Sequence, residues 1–393
     1  MMKNIMKTPT LRFSDFTSDW ENKKLGDVCD VRDGTHDSPI QSSEGYALVT
    51  SKNILNGKLN LSNVGYISLE DYNAINKRSG VNKWDILVSM IGTLGETVLI
   101  REEPNFSIKN VGLIKTNNAE TSKFLYYYIT CSKIQNSIKS LSQGSTQKYI
   151  SLGTLRGLKI NSPINAKEQN KIAGFLSSVD KRIDLLQQKH DTFIQYKNAL
   201  MQGLFPRKGQ TNPSMRLNDK NNNPFTKNWE NKKLGDVCDK ESSKTVVGNI
   251  SENGLYTVYG ASGICGKITT YISEKPYIGI VKDGAGVGKL FFCEKNTSIL
   301  GTLNKISEKK NINILFLYYL FKKINFQKYV IGSTIPHIYF KDYSKEKLKI
   351  PSIEEQNKIA GFLSAVDKKI ENISNQLNQS KQFKKSLMQK MFI

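Results

Sequence analysis

The 393-residue chain is short of the residues from which disulfide frameworks, metal centres and membrane spans are built. It has five cysteines (Cys29, Cys131, Cys238, Cys265, Cys293), an odd number with no C-x-x-C pair. That excludes a disulfide framework and points to a reducing, cytoplasmic setting. Its three histidines (His36, His190, His337) are not spaced for metal, so no metal site is expected. The longest apolar run, 314–321, is too short to span a bilayer, and the opening MMKNIMKTPT has no apolar leader core. No membrane partner is expected. Acidic residues are also scarce, 35 against 57 basic, for a net charge of +22. Such a surplus suits a polyanionic partner. A low-GC genome enriched in Lys and Asn produces the same excess, so charge supports that reading without carrying it.

What the chain does have is a duplication. WENKKLGDVCD at 20–30 recurs unchanged at 229–239, and EQNKIAGFLSSVDKRI from Glu168 recurs as EQNKIAGFLSAVDKKI from Glu355. The second match continues to 205 and 392, with 20 of 38 positions identical and no gap. A constant offset over that length suits a helix whose length is itself constrained. PTLRF at 9–13 resembles PSMRL at 213–217, whereas 31–157 and 240–347 share only scraps. The reading is two bodies, 1–162 and 229–350, two helices, 163–206 and 351–393, and a polar, turn-rich linker over 207–228.

Both helices carry apolar residues in a 3,4 alternation. The first has Leu176, Val179, Ile183, Leu186, Phe193, Leu200 and Leu204, with His190 and Lys197 interrupting the seam. The second has Leu363, Val366, Ile370, Ile373, Leu377, Leu387 and Met391, with Ser380 and Lys384 interrupting it. This is a coiled-coil seam, and a lone helix with one bare stripe needs a partner. Pro163 and Pro351 mark the starts and Pro206 a stop. Antiparallel packing of copy one on copy two is the economical solution. It predicts an α+β protein: two mixed α/β bodies separated by two long antiparallel helices, with a pseudo-two-fold repeat.

In the bodies, β-branched and aromatic runs alternate with Gly-containing turns, which predicts twisted antiparallel strands. The runs are 46–54, 84–100 and 106–116, then 255–272, 277–293 and 298–306. One short helix is expected in each body, over 122–140 and 312–326. GAGVGK at 284–289 lacks the flanking Gly and Ser/Thr of a phosphate loop, having Asp283 and Leu290, and reads as a hairpin turn. IGTLGE at 91–96 has the same character. No methyltransferase tetrapeptide or nuclease constellation is present, so no catalytic residue is assigned.

The remaining candidates are polar loops, in which Lys neutralises phosphate while Asn, Gln, Ser, Thr and His reach base edges. In the first body these are Thr35, His36, Lys52, Asn53, Lys109, Asn110, Gln143, Ser145, Thr146, Gln147 and Lys148. In the second they are Tyr259, Ser262, Lys282, Lys289, Ser333, Thr334 and His337.

The repeated WENKKLGDV, the repeated P-x(3 or 4)-EQNKIAGFLS-x-VD, DGTHDSP with DILVSMIGTLG, and YGASGICG with IVKDGAGVGK together resemble the specificity subunit of Type I restriction-modification systems. The resemblance implies two target recognition domains, each reading half of a bipartite double-stranded DNA site. It implies helices that set the half-site spacing and dock two copies of a methylation subunit, together with restriction subunits carrying motor and nuclease. S-adenosylmethionine, ATP and magnesium would belong to those partners, and no cofactor to this chain. A 38-residue helix is about 57 Å long, or about 17 base pairs at 3.4 Å each. A non-reading coiled-coil scaffold and a DNA-modifying enzyme with an unrecognised site stand as the alternatives.

Overall fold

The structure, a computed structural model, describes residues 8–116, 118–142 and 148–393. It divides into two compact units, Met1–Gln188 with Ser374–Ile393, and Lys189–Ile373. Each unit therefore combines one body with the beginning of the helix that follows it and the end of the other helix.

In the first unit, Trp20–Lys24 pairs antiparallel with Lys159–Pro163, Trp20 opposite Pro163 and Lys24 opposite Lys159. This two-stranded clasp closes the body where the chain enters and leaves it. Inside, the strands Asp30–Asp33, Val111–Lys115, Ile86–Ser89 and Thr97–Leu99 form an antiparallel sheet in that order. A second sheet runs Gly65–Ile67, Tyr46–Val49, Phe106–Ile108, and its last two strands are parallel. Ile86–Ser89 is buried along its whole length. That is why it reads as a continuous apolar run instead of an alternation.

The second unit repeats this topology on unrelated sequence. Glu230–Lys233 pairs with Lys347–Ile350 as the clasp. The four-stranded sheet is Cys238–Ser242, Leu303–Glu308, Tyr277–Val281, Leu290–Cys293, and the three-stranded one is Gly263–Ile268, Tyr256–Gly260, Ser298–Ile299. Tyr256–Gly260 and Ser298–Ile299 are again parallel. Both Gly-rich segments are hairpin turns, as expected, since Ile86–Ser89 pairs with Thr97–Leu99 and Tyr277–Val281 with Leu290–Cys293.

Several expectations need correction. The strands are not all antiparallel, because 106–116 is two strands divided between two sheets. Asn110 makes the corner in the left-handed region at φ 54°, which Asn tolerates. The helix expected at 122–140 is two, Ala119–Thr130 and Ser132–Ser140, broken where Cys131 is extended. Leu69–Ser79, started by the Ser68 cap, was not anticipated. In the second body only Ile314–Phe321 of 312–326 is α-helical.

The long helices are Ala166–Gly203 and Ile353–Met391. In the first unit the end of the C-terminal helix packs antiparallel on the start of the central one. Leu387, Met388 and Met391 share a core with Ile172, Ala173, Leu176 and Val179, and Lys384 reaches Asp180 at 2.6 Å. In the second unit Leu200 and Leu204 share a core with Ile359, Ala360, Leu363 and Val366, and Lys197 pairs with Asp367. Ile373 and Leu377 are buried as the seam requires, while Ile183, Leu186, Phe193 and Ile370 are half-buried.

Lys197 and Lys384, which interrupted the seam in sequence, thus have defined partners. Each partner carboxylate also accepts a hydrogen bond from its own body. Tyr127 Oη donates to Asp180 and Tyr319 Oη to Asp367, both at 2.8 Å. The two triads key each body to its helix pair.

The segment read as a linker is bonded into the second unit. Met215 N donates to Gly203 O, and Arg216 grips Glu355 through two oxygens at 2.9 and 2.6 Å. Arg12 does the same to Glu168, at 2.7 Å for both bonds. PTLRF and PSMRL resemble one another because each supplies this arginine. Among the described residues no helix is long and apolar enough to cross a membrane.

Candidate nucleic-acid interface

In the first body, Gly34 lets the loop after Asp30–Asp33 lie flat on the corner at 108–110. A Cβ at Gly34 would come within 2.3 Å of the Ile108 carbonyl oxygen. The close approach permits the bridge between Thr35 and Lys109, with Thr35 N donating to Ile108 O and Asn110 N to Thr35 O. Ser51 Oγ donates to the Asn110 carbonyl, and Thr93 Oγ1, in the hairpin turn, donates to Ser51 O. Ile91 bridges to Tyr149. Thr35, His36, Lys52, Lys109, Asn110 and Lys148 therefore belong to one knitted group of loops. Lys52 and Lys148 are exposed, while Lys109 Nζ donates to Ser38 Oγ at 2.6 Å. Gln143, Ser145, Thr146 and Gln147 lie outside the described residues.

Asn53 does not fit a reading role. It is 6% exposed. Its Oδ1 accepts from Thr50 N and Oγ1, and its Nδ2 donates to the carbonyls of Asn60 and Asn63. The side chain holds a turn together and offers little to a base edge.

His36 is the most elaborately held residue of the group. Nε2 faces Asp33 Oδ2 at 2.9 Å and Nδ1 faces Asn110 Oδ1 at 2.7 Å. Asp33, 5% exposed, also receives Arg78 from the helix Leu69–Ser79. The hydrogen bonds to Asn110 and Asp33 push the imidazole pKa up. Asp33 opens the DGTHDSP segment but was not among the candidate side chains, and Arg78 was missed in sequence. Arg78 carries no local motif and reaches the loop only because its helix packs beside Phe106–Ile108.

In the second body three loops converge. Gly284 N donates to Pro336 O, Ile338 N to Lys282 O, and Asp283 bridges to His337. Gly284 and Gly288 turn the hairpin at φ 90° and 85°. A Cβ on Gly286 would lie 3.2 Å from Ala261 O, which brings in the third loop. Ser262, Lys289, Ser333 and Thr334 are exposed here. Lys282 is half-buried and pairs with Asp283 at 3.3 Å. His337 Nδ1–H donates to Ile335 O at 3.2 Å. Tyr259 sits deeper, its ring 6.1 Å from that of Phe291, and burial pushes its hydroxyl pKa up. Ile335, 64% exposed in the loop between Ile331 and His337, adds an apolar group to the cluster.

Each body thus presents a cluster of loops built around equivalent hairpin turns, with hydroxyl, amide, imidazole and ammonium groups. Among the described residues no three His, Cys, Asp or Glu are grouped to hold a metal ion.

The family model described as "Type I restriction modification DNA specificity domain" matches residues 17–192 and 226–382. The chain is similar to the type I restriction enzyme MjaVIII specificity subunit of Methanocaldococcus jannaschii, at 25% identity over 408 residues, covering 94% of this chain and 91% of the relative. Its fold is similar to the crystal structure of the S subunit of a type I restriction-modification system from M. genitalium. There the TM-score is 0.70 at 19% identity, covering 98% of this chain and 99% of that one. A chain from a structure of the assembly and conformational transition of the type I R-M system matches at a TM-score of 0.51 and 16% identity, covering 95% and 97%.

Proposed function

The chain belongs to the type I restriction-modification DNA specificity family, and from that premise we propose that its two bodies read the two halves of one bipartite, asymmetric duplex site. The observation that carries the proposal is one architecture built twice under matching clasps, with the differences concentrated in the bodies. Two readers of one design and unlike surface chemistry are what an asymmetric bipartite site requires. Lysines in each cluster supply sequence-independent phosphate attraction, and the Asn, Ser, Thr and His groups supply base discrimination.

On this reading the chain performs no covalent chemistry. It brings DNA to two methylation subunits, docked along the long helices, and to restriction subunits that carry motor and nuclease. Those partners would bind S-adenosylmethionine, ATP and magnesium, with adenine as the modified base. The test is genome-wide mapping of methylated adenine in cells with and without the gene. One bipartite motif should disappear. Replacing residues 31–157 by another body should then alter only one half of the motif, and a change in both halves would overturn the two-reader assignment.

A further inference from the structure

We propose that His36 sets which way the Asn110 carboxamide faces, and through it whether the first body selects a keto or an amino base at one position of its half-site. This rests on the reading that the first body's loops face DNA.

The Asn110 backbone has no freedom to adjust. Its N–H is bonded to Thr35 O, its carbonyl accepts from Ser51 Oγ, and its φ of 54° fixes the corner between two strands. Only the carboxamide can turn. In the structure its Oδ1 lies 2.7 Å from His36 Nδ1, while the other ring nitrogen lies 2.9 Å from an Asp33 oxygen. An imidazole whose two nitrogens both face oxygen acceptors satisfies both only as the imidazolium, donating twice. Asn110 Oδ1 is then committed to His36. Among the described residues no group accepts from Nδ2, so the carboxamide presents a donor.

The charged groups that bear on His36 are Asp33, which holds the proton, and Arg78, which opposes it. Nearby Lys109 is tied to Ser38, and Asp37 to Thr35. The His36 side chain is 63% exposed, so its proton exchanges with solvent. When the ring becomes neutral, the remaining proton stays on Nε2 opposite the Asp33 carboxylate, and Nδ1 becomes an acceptor. Asn110 must then turn to donate Nδ2–H to His36, which presents Oδ1 outward. In the major groove a donor matches guanine O6 or thymine O4, and an acceptor matches adenine N6 or cytosine N4. The four side chains Arg78, Asp33, His36 and Asn110 thus form a relay that converts a proton into a base preference.

The test uses the full chain in its assembled complex and a duplex library randomised in both half-sites, selected at about pH 6 and pH 8.5 in the same salt, because affinity depends on salt. One position of the first half-site should move from keto to amino bases by about tenfold as pH rises, about what one hydrogen bond lost for one gained is worth. The second half-site should not move, and its retention certifies that each variant is folded and assembled. Asn110→Asp should select amino bases at both pH values, and His36→Ala should remove the pH dependence. If the first half-site keeps one preference at both pH values and in Asn110→Asp, the relay does not read DNA, although bipartite reading stands. If neither half-site shows any preference, both proposals fall.

Discussion

Glu168 and Glu355 each place a carboxylate, 0% and 1% exposed, in the first turn of a long helix. The helix dipole favours an anion there, but burial would be prohibitive without Arg12 and Arg216. The two sites are not equal. Glu168 also accepts from Trp20 Nε1 at 3.2 Å, whereas the buried Trp229 Nε1 has no partner among the described residues. Arg216→Met should therefore cost about 3–5 kcal/mol in urea unfolding, and Arg12→Met should cost less. Equal losses would show that the indole hydrogen bond contributes nothing. The thiols give a second comparison at this scale. Burial pushes Cys29, Cys238 and Cys293 up to about 12, and Cys131 is raised by the same cause. Cys265 is exposed. A disulfide reagent at about pH 8 should modify Cys265 first, the half-buried Cys29 more slowly, and the buried Cys131, Cys238 and Cys293 only on unfolding; fast reaction of a buried thiol in the native protein would contradict the packing. His36 adds a pH term. Its folded pKa is raised, so its contribution to stability is full below the unfolded value of about 6.5. That contribution is lost as pH rises through the folded value.

At the level of elements, the triads Tyr127–Asp180–Lys384 and Tyr319–Asp367–Lys197 fix the axial register of the helix pairs. Apolar seams alone tolerate slippage by a heptad, and one polar pair in the seam forbids it. Lys384→Met leaves Asp180 with the Tyr127 hydroxyl as its named donor, and thermal unfolding should show a loss of about 1–3 kcal/mol. Tyr127→Phe should lose about 1 kcal/mol. The exchange Asp180→Lys with Lys384→Asp should recover part of the loss, and no recovery would mean that the pair does not act as a unit. These elements also show what sequence could reveal. The helices were legible to within three residues at each end, because period and duplication agree. The polar interruptions were visible at 197 and 384, but their partners were not, since each contact joins residues some 170 to 204 positions apart. The division of 106–116 into two strands was hidden because both halves are apolar and buried. Loop residues were legible as polar and no further. Nothing local distinguishes Asn53, whose amide is spent on its own turn, from Asn110, whose amide is not.

For the whole molecule, the division between the two units falls within the helices, at 188/189 and at 373/374. A spacer change must therefore respect two sets of register pins. Seven residues inserted at 188/189 and seven at 373/374 would lengthen both helices by about 10.5 Å, or about three base pairs. The recognised motif should keep both half-sites and gain about three unread positions, as read by methylation mapping. An unchanged spacer would show that the helices are not the ruler. Insertion at one site alone should instead reduce stability, because one seam would be displaced against the other.

The clasp has a consequence for heredity. Each body begins and ends on paired strands, Trp20–Lys24 with Lys159–Pro163 and Glu230–Lys233 with Lys347–Ile350. The segment between is an insert whose two ends lie side by side. The flanking stretches are also the ones repeated in sequence, eleven identical residues on one side and the helix start on the other. A gene with this layout offers recombination matched crossover points that coincide with structural seams. A single exchange event can deliver a complete new body into an unaltered frame, so a lineage can replace its recognised sequence in one step instead of by gradual point mutation.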